Sequence, residues 1–141
     1  MLKLLHNQLG ILIAPFIFIA SLTGLLYGLT PQLESFIYKE QLSALHSPNH
    51  KIQPLSQQVA AASTVLPHDA KIFAVRTPQT SEHTTRILYQ VPDNPDTVKA
   101  IFINPYTLKV QGQLPVYGTS GVLPLRTFLD QLHRSLLLGE Y

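Results

Sequence analysis

The chain has 141 residues, 45% of them hydrophobic and 13% charged, with a net charge of +2 and no cysteine. That length holds one ordinary domain and little more, and the charge offers no basic face of the kind nucleic acid needs. Without cysteine there is neither a disulfide framework nor a thiolate metal site.

The apolar excess lies in the first thirty residues. From Leu4 to Leu33 there is no Asp, Glu, Lys or Arg, and His6 is the one side chain there that titrates near neutrality. Leu9 to Leu29, "LGILIAPFIFIASLTGLLYGL", is about 21 residues, which at about 1.5 Å each spans roughly the 30 Å of a bilayer's hydrocarbon core. Pro15 would kink a soluble helix, but neighbouring helices make such breaks tolerable in lipid. Tyr27, Tyr38 and Lys39 stand where an interfacial anchor is expected. A cleaved signal peptide is the rival reading. Its apolar core would be shorter, and Ala20-Ser21-Leu22 makes a poor cleavage site. Lys3 gives a weak positive-inside signal that places the amino terminus in the cytoplasm.

One face of this helix is lined by small residues. At 100° per residue Gly10, Ala14, Ser21, Gly24 and Gly28 share a sector, with Ala20 at its edge and His6 in its middle. Glycines are common in membrane helices, but Ala20, Gly24 and Gly28 at four-residue spacing let a second helix approach closely. The helix is therefore expected in a bundle, with His6 facing the interior.

The composition then turns polar. Residues 34–54 are expected to be a linker, rich in Ser, Pro, Asn and His from Ser43 onward. Residues 55–115 read as a small α+β domain. In "PLSQQVAAASTVLP", Ser56 can cap a short helix, Val59 and Ala60 begin its apolar face, and Pro67 follows its end. "KIFAVRTP", "TRILYQVP" and "VKAIFINP" read as strands from Ile72, Ile87 and Val98, "LKVQGQLP" as a fourth, with turn residues between them. The sum is one helix and an antiparallel sheet of three to four strands. His46, His50, His68 and His83 fall in linker or turns without a metal-site pattern and read as solvated surface histidines. No phosphate loop or nucleophile elbow is present, so no catalytic residue is assigned.

Residues 116–141 form a loop and an amphipathic helix leading toward membrane. Phe128, Leu129, Leu132, Leu136 and Leu137 make its apolar side, while Arg126, Asp130 and Arg134 repeat at i,i+4. His133 stands beside the apolar side. Asp130, three residues earlier, is placed to accept one ring N–H if the other nitrogen binds a metal. A histidine near lipid is expensive without a partner; the plainer alternative is an interfacial histidine in water. "LHNQL" and "LHRSL" thus put a histidine at the edge of an apolar run twice, on opposite sides of the membrane. Roughly 30 Å of bilayer keeps the two from sharing one iron.

"LHNQLGILIAPFIFIASLTGLLYGLTPQLESFIY" resembles the first helix and exit of the PepSY-associated transmembrane helix family of bacterial inner-membrane proteins. "AIFINPYTLKVQGQLP" resembles the strand, "DP-x-T-G" turn and strand of its PepSY domain, although Asn104 and Leu108 replace the usual Asp and Gly. "LPLRTFLDQLHRSLLLGEY" resembles the "L-x-x-LHR-x-LLLG-x-x-G" segment that enters its second membrane helix. The resemblance implies an inner-membrane protein with a periplasmic middle domain. It also implies an amino-terminal part of a longer architecture, inactive alone, whose partners are lipid and further membrane helices. The family includes iron-regulated membrane proteins, some of them haem-bearing reductases that act on ferric siderophores in iron uptake, and in that setting the resemblance makes His6 and His133 the candidate axial haem ligands. The alternative is a membrane-anchored periplasmic PepSY binding or regulatory module without redox activity.

Overall fold

The computed structural model describes residues 2–44, 51–118 and 120–135. The elements run α1 (Leu2–Gly28), α2 (Thr30–Ile37), α3 (Lys39–Leu42), α4 (Leu55–Ser63), β1 (Lys71–Arg76), β2 (Thr85–Val91), β3 (Asn94–Ile103), β4 (Val110–Val116) and α5 (Pro124–Ser135). They divide into two compact units, one built from α1 and α5 and the other from residues 33–124.

Helix α1 runs unbroken through Pro15, and its segment His6–Gly28 is long and apolar enough to cross a membrane. Its side chains are almost all uncovered by protein: Ile11, Leu12 and Phe18 are each about two-thirds exposed. A continuous apolar surface of that extent is not sustained in water and requires lipid or other helices around it. Two threonines in and just after this segment bond back to its own carbonyls. Thr23 Oγ1 lies 2.9 Å from the carbonyl of Ile19 and 3.1 Å from that of Ala20, and Thr30 Oγ1 donates to the carbonyl of Tyr27 at 2.6 Å. Such back-bonding is how a hydroxyl is accommodated in an apolar helix.

The second unit is the α+β domain that the alternating runs imply. Its four strands form one antiparallel sheet in the order β1-β2-β3-β4. Both faces are covered. On one, Leu88, Ala100, Phe102 and Val116 pack with Leu42 and Leu123; on the other, Ile87, Tyr89, Ile101 and Ile103 pack with Ala62 of α4. Two-sided burial explains why the central strands carry unbroken apolar runs such as Ala100-Ile101-Phe102-Ile103 instead of strict alternation.

Several local expectations are revised. Ser56 does not cap α4: Pro54 holds the cap position without a side-chain bond, and Ser56 is one residue inside the helix. Proline at this boundary sets the backbone angle that the helix needs at its start. Ala60 is exposed, and the residues α4 buries are Gln58 and Ala62. Strand β3 starts at Asn94, four residues before Val98, because Val91 and Asn94 pair across a two-residue Pro92-Asp93 turn. Residues 34–44 supply α3 and part of the core: Leu42 and Ala44 are buried, and Ser43 bridges His83. Tyr38 packs against that same core, so its ring is taken up by protein.

The substituted turn after β3 closes as its chemistry requires. Asn104 Oδ1 accepts the backbone N–H of Tyr106 at 2.9 Å and of Thr107 at 3.2 Å, as an aspartate would. Leu108 then adopts φ 62°, the left-handed conformation for which glycine is the unstrained residue.

Candidate functional site

Both expected ligand histidines are exposed, and His133 is the one whose ring meets another helix. Helix α5 begins at Pro124, a residue suited to the first helical turn, and carries His133 near its end. The imidazole lies against α1. Its Nδ1 is 2.9 Å from Thr23 Oγ1, and a Cβ added to Gly24 would stand 3.3 Å from its Cε1. The small-residue face of α1 thus does at Gly24 what such faces do, letting another helix's side chain come against the backbone.

Thr23 is buried, 4% exposed, and its hydroxyl has one hydrogen. The carbonyls of Ile19 and Ala20 can only accept. Those carbonyls also accept backbone N–H groups within α1, so two arrangements satisfy the groups: Thr23 donates to a carbonyl and accepts from Nδ1–H of His133, or donates to an unprotonated Nδ1. In the first arrangement the hydrogen is on Nδ1 and Nε2 keeps its lone pair; in both, Nε2 has no hydrogen-bond partner among the described residues. An oriented imidazole with one nitrogen tied and the other bare is the form that binds iron. Asp130, expected to orient this ring, instead faces Arg134, 3.6 Å away and one turn on. The hydroxyl sits nearer the ring, and the carboxylate is drawn by the guanidinium. Sequence reasoning missed Thr23. The available signal was a hydroxyl in an otherwise apolar helix, next to a glycine of the small-residue face.

His6 stands elsewhere. It is exposed, and with Gly10, Ala14, Ile17 and Ser21 it lines an apolar groove of about 840 Å3 along α1. Seventeen residues separate it from Thr23, about 25 Å along a helix. The structure does not bring His6 and His133 together. Among the described residues no three His, Asp or Glu side chains gather as a metal site. A haem asks less, one imidazole per axial position, and the donors here fit that demand singly.

Two of the remaining histidines are surface groups. His68 is almost fully exposed beside Asp69, 2.8 Å away, and exposed His83 meets Thr80 Oγ1 at 2.6 Å. His46, His50, Leu136 and Leu137 lie outside the described residues.

No curated protein matches the chain. The model of the family described as PepSY-associated TM region matches residues 4–141. With an apolar spanning helix, a two-faced antiparallel domain and a histidine-bearing second helix all inside that match, the chain is a membrane protein and belongs to the PepSY-associated TM region family.

Proposed function

We propose that the chain works within a haem-bearing reductase of the bacterial inner membrane that serves iron uptake by reducing ferric siderophores at the periplasmic face. One observation carries the reading: His133 is seated by Thr23 and Gly24 through Nδ1 and Cε1, with Nε2 turned to no protein partner among the described residues. An anchor has no use for that arrangement. His6, among the small residues of the α1 groove, is the corresponding ligand near the other membrane face. Haem bound at these places supplies one-electron transfer, and two stations about 25 Å apart suit passage of electrons across the membrane. Thr23 orients the His133 ring and, when it accepts from Nδ1–H, holds the proton there; Gly24 makes room for it. Each station requires a second ligand, and the uncovered face of α1 is where further helices, of this polypeptide or another subunit, bring it. The weak charge bias at Lys3 puts the amino terminus inside and the sheet domain in the periplasm.

The second reading, a membrane-anchored binding or regulatory module, draws on the sheet domain having a core of its own. An absorbance scan of membranes containing the protein together with its partner helices decides between them. The redox reading expects a Soret band that weakens in His6→Ala and in His133→Ala. Identical spectra in all three forms end it.

A further inference from the structure

The interfacial ring expected at Tyr38 is taken up by the sheet-domain core. Phe36, two residues earlier on α2, is instead 82% exposed, and Ile37 is exposed beside it. We propose that α2 is an interfacial helix whose Phe36, with Ile37 at its edge, enters the head-group layer of the bilayer where α1 leaves it. This contact with lipid goes beyond the redox reading and does not depend on haem; it rests on α1 spanning the membrane.

A lone exposed ring is ordinary on a protein surface. What singles out Phe36 is its tether. The spanning segment ends at Gly28, and Phe36 is eight residues further on, about 12 Å as helix. The head-group layer is about 5 to 8 Å thick on each side of the hydrocarbon core. Helical side chains lean toward the amino terminus, so a ring covers the turn behind its own Cα. For Phe36 that direction is back toward α1. One turn is about 5 Å, which brings the ring to the depth of the head groups. Any bend where α1 passes into α2 lowers it further. The passage itself is closed by hydrogen bonds, so no loose linker lengthens the reach. The Leu29 N–H donates to the Leu25 carbonyl at 3.0 Å and the Gln32 N–H to the Leu29 carbonyl at 3.1 Å. Pro31 has no N–H to offer the Tyr27 carbonyl, and the Thr30 hydroxyl donates to it instead at 2.6 Å. A helix held at such a boundary sinks its apolar side chains about 5 to 10 Å into the border of head groups and acyl chains.

The chain contains no tryptophan, so a single introduced indole reports its own surroundings. The full chain carrying Phe36→Trp is placed in phosphatidylcholine vesicles whose acyl chains bear bromine either near the head group or near the chain end, with iodide as the aqueous quencher. Bromine near the head group is expected to remove most of the Phe36→Trp emission and bromine near the chain end less, with the emission to the blue of an indole in water. Phe18 is ten residues inside Gly28, about 15 Å in and so near the midplane, and Phe18→Trp gives the reverse order. Phe73→Trp, on the edge strand β1, answers to iodide and to neither bromine. Ile37→Trp serves in the same scheme if Phe36→Trp melts early. Emission from Phe36→Trp that iodide quenches and bromine leaves untouched overturns the assignment. So does blue-shifted emission indifferent to both bromines, because protein then covers the ring. Bromine quenching as strong in Phe73→Trp as in Phe36→Trp overturns it too, since the whole domain then lies on lipid and α2 has no special place. In each case Phe18→Trp still reports lipid around α1; if it also escapes bromine, the spanning reading falls with the assignment.

Discussion

Replacing Thr23 by valine removes the hydroxyl's contact with His133 and its back-bonding to the carbonyls of Ile19 and Ala20, and little else. Valine has the same branched shape and keeps the stiff side-chain geometry that β-branched residues show in helices. The carbonyls of Ile19 and Ala20 keep their backbone partners. Besides the back-bond to those carbonyls, what disappears is the 2.9 Å bond to His133 Nδ1, the one contact that reaches another helix. A hydrogen bond between membrane helices contributes about 0.6 to 2 kcal/mol, and about 1 kcal/mol is roughly a fivefold ratio between two states. Where Thr23 accepts from Nδ1–H, as the redox reading needs, Thr23→Val therefore lowers the preference of His133 for hydrogen on Nδ1 about fivefold, while Thr23→Ser retains it. The assay is imidazole 15N NMR on the full chain in nanodiscs with labelled histidine, the signal being assigned by its disappearance in His133→Gln. If the His133 nitrogen shifts are the same in wild type and Thr23→Val, the hydroxyl does not set the tautomer and the reasoning about Nε2 fails.

Two left-handed positions of the sheet domain respond with opposite signs. Leu108→Gly relieves φ 62° and raises stability by about 0.5 to 1 kcal/mol after the half-buried side chain is lost; a lower denaturation midpoint contradicts this. Gly121→Ala introduces a Cβ at φ 67°, 3.1 Å from the buried Leu88 Cδ2, and costs about 1 to 2 kcal/mol in the same melts. Gln58→Ala strands the Thr85 hydroxyl, which donates to Gln58 Oε1 at 2.5 Å, and the Gln53 carbonyl, which accepts from Nε2 at 2.7 Å. The expected loss is about 2 kcal/mol, and a change below a few tenths shows that water replaces the amide. Burial pushes the Tyr89 phenol above its ordinary value near 10. The folded state then holds this proton to higher pH than the unfolded state does, so stability is unaffected below about pH 10 and falls above it. In Tyr89→Phe that alkaline decline is shallower; an identical slope in ultraviolet-monitored melts excludes Tyr89 as its source.

How far the sequence disclosed this molecule depends on the range of the interaction. The spanning helix, the four strands and the turn at Asn104 were legible because hydropathy and turn chemistry are local. The short helix α3 was not. "KEQL" is polar at three of its four positions, and only the arrival of β4 beside it makes Leu42 a core residue. Ser56 was misplaced because a preceding proline can start a helix as well as a hydroxyl can. At the candidate site the histidine on α5 and the glycine it rests on were each visible. Their meeting was not, since Thr23 and His133 are 110 residues apart and spacing along one helix cannot report a partner on another.

Pro15 lies roughly midway between His6 and Thr23. Lacking an N–H, it leaves the Ile11 carbonyl without the bond that would tie one turn of the rod to the next. A missing rung of this kind is where long helices bend most readily, so any tilt of the His6 end relative to the Thr23 end is expected at this turn.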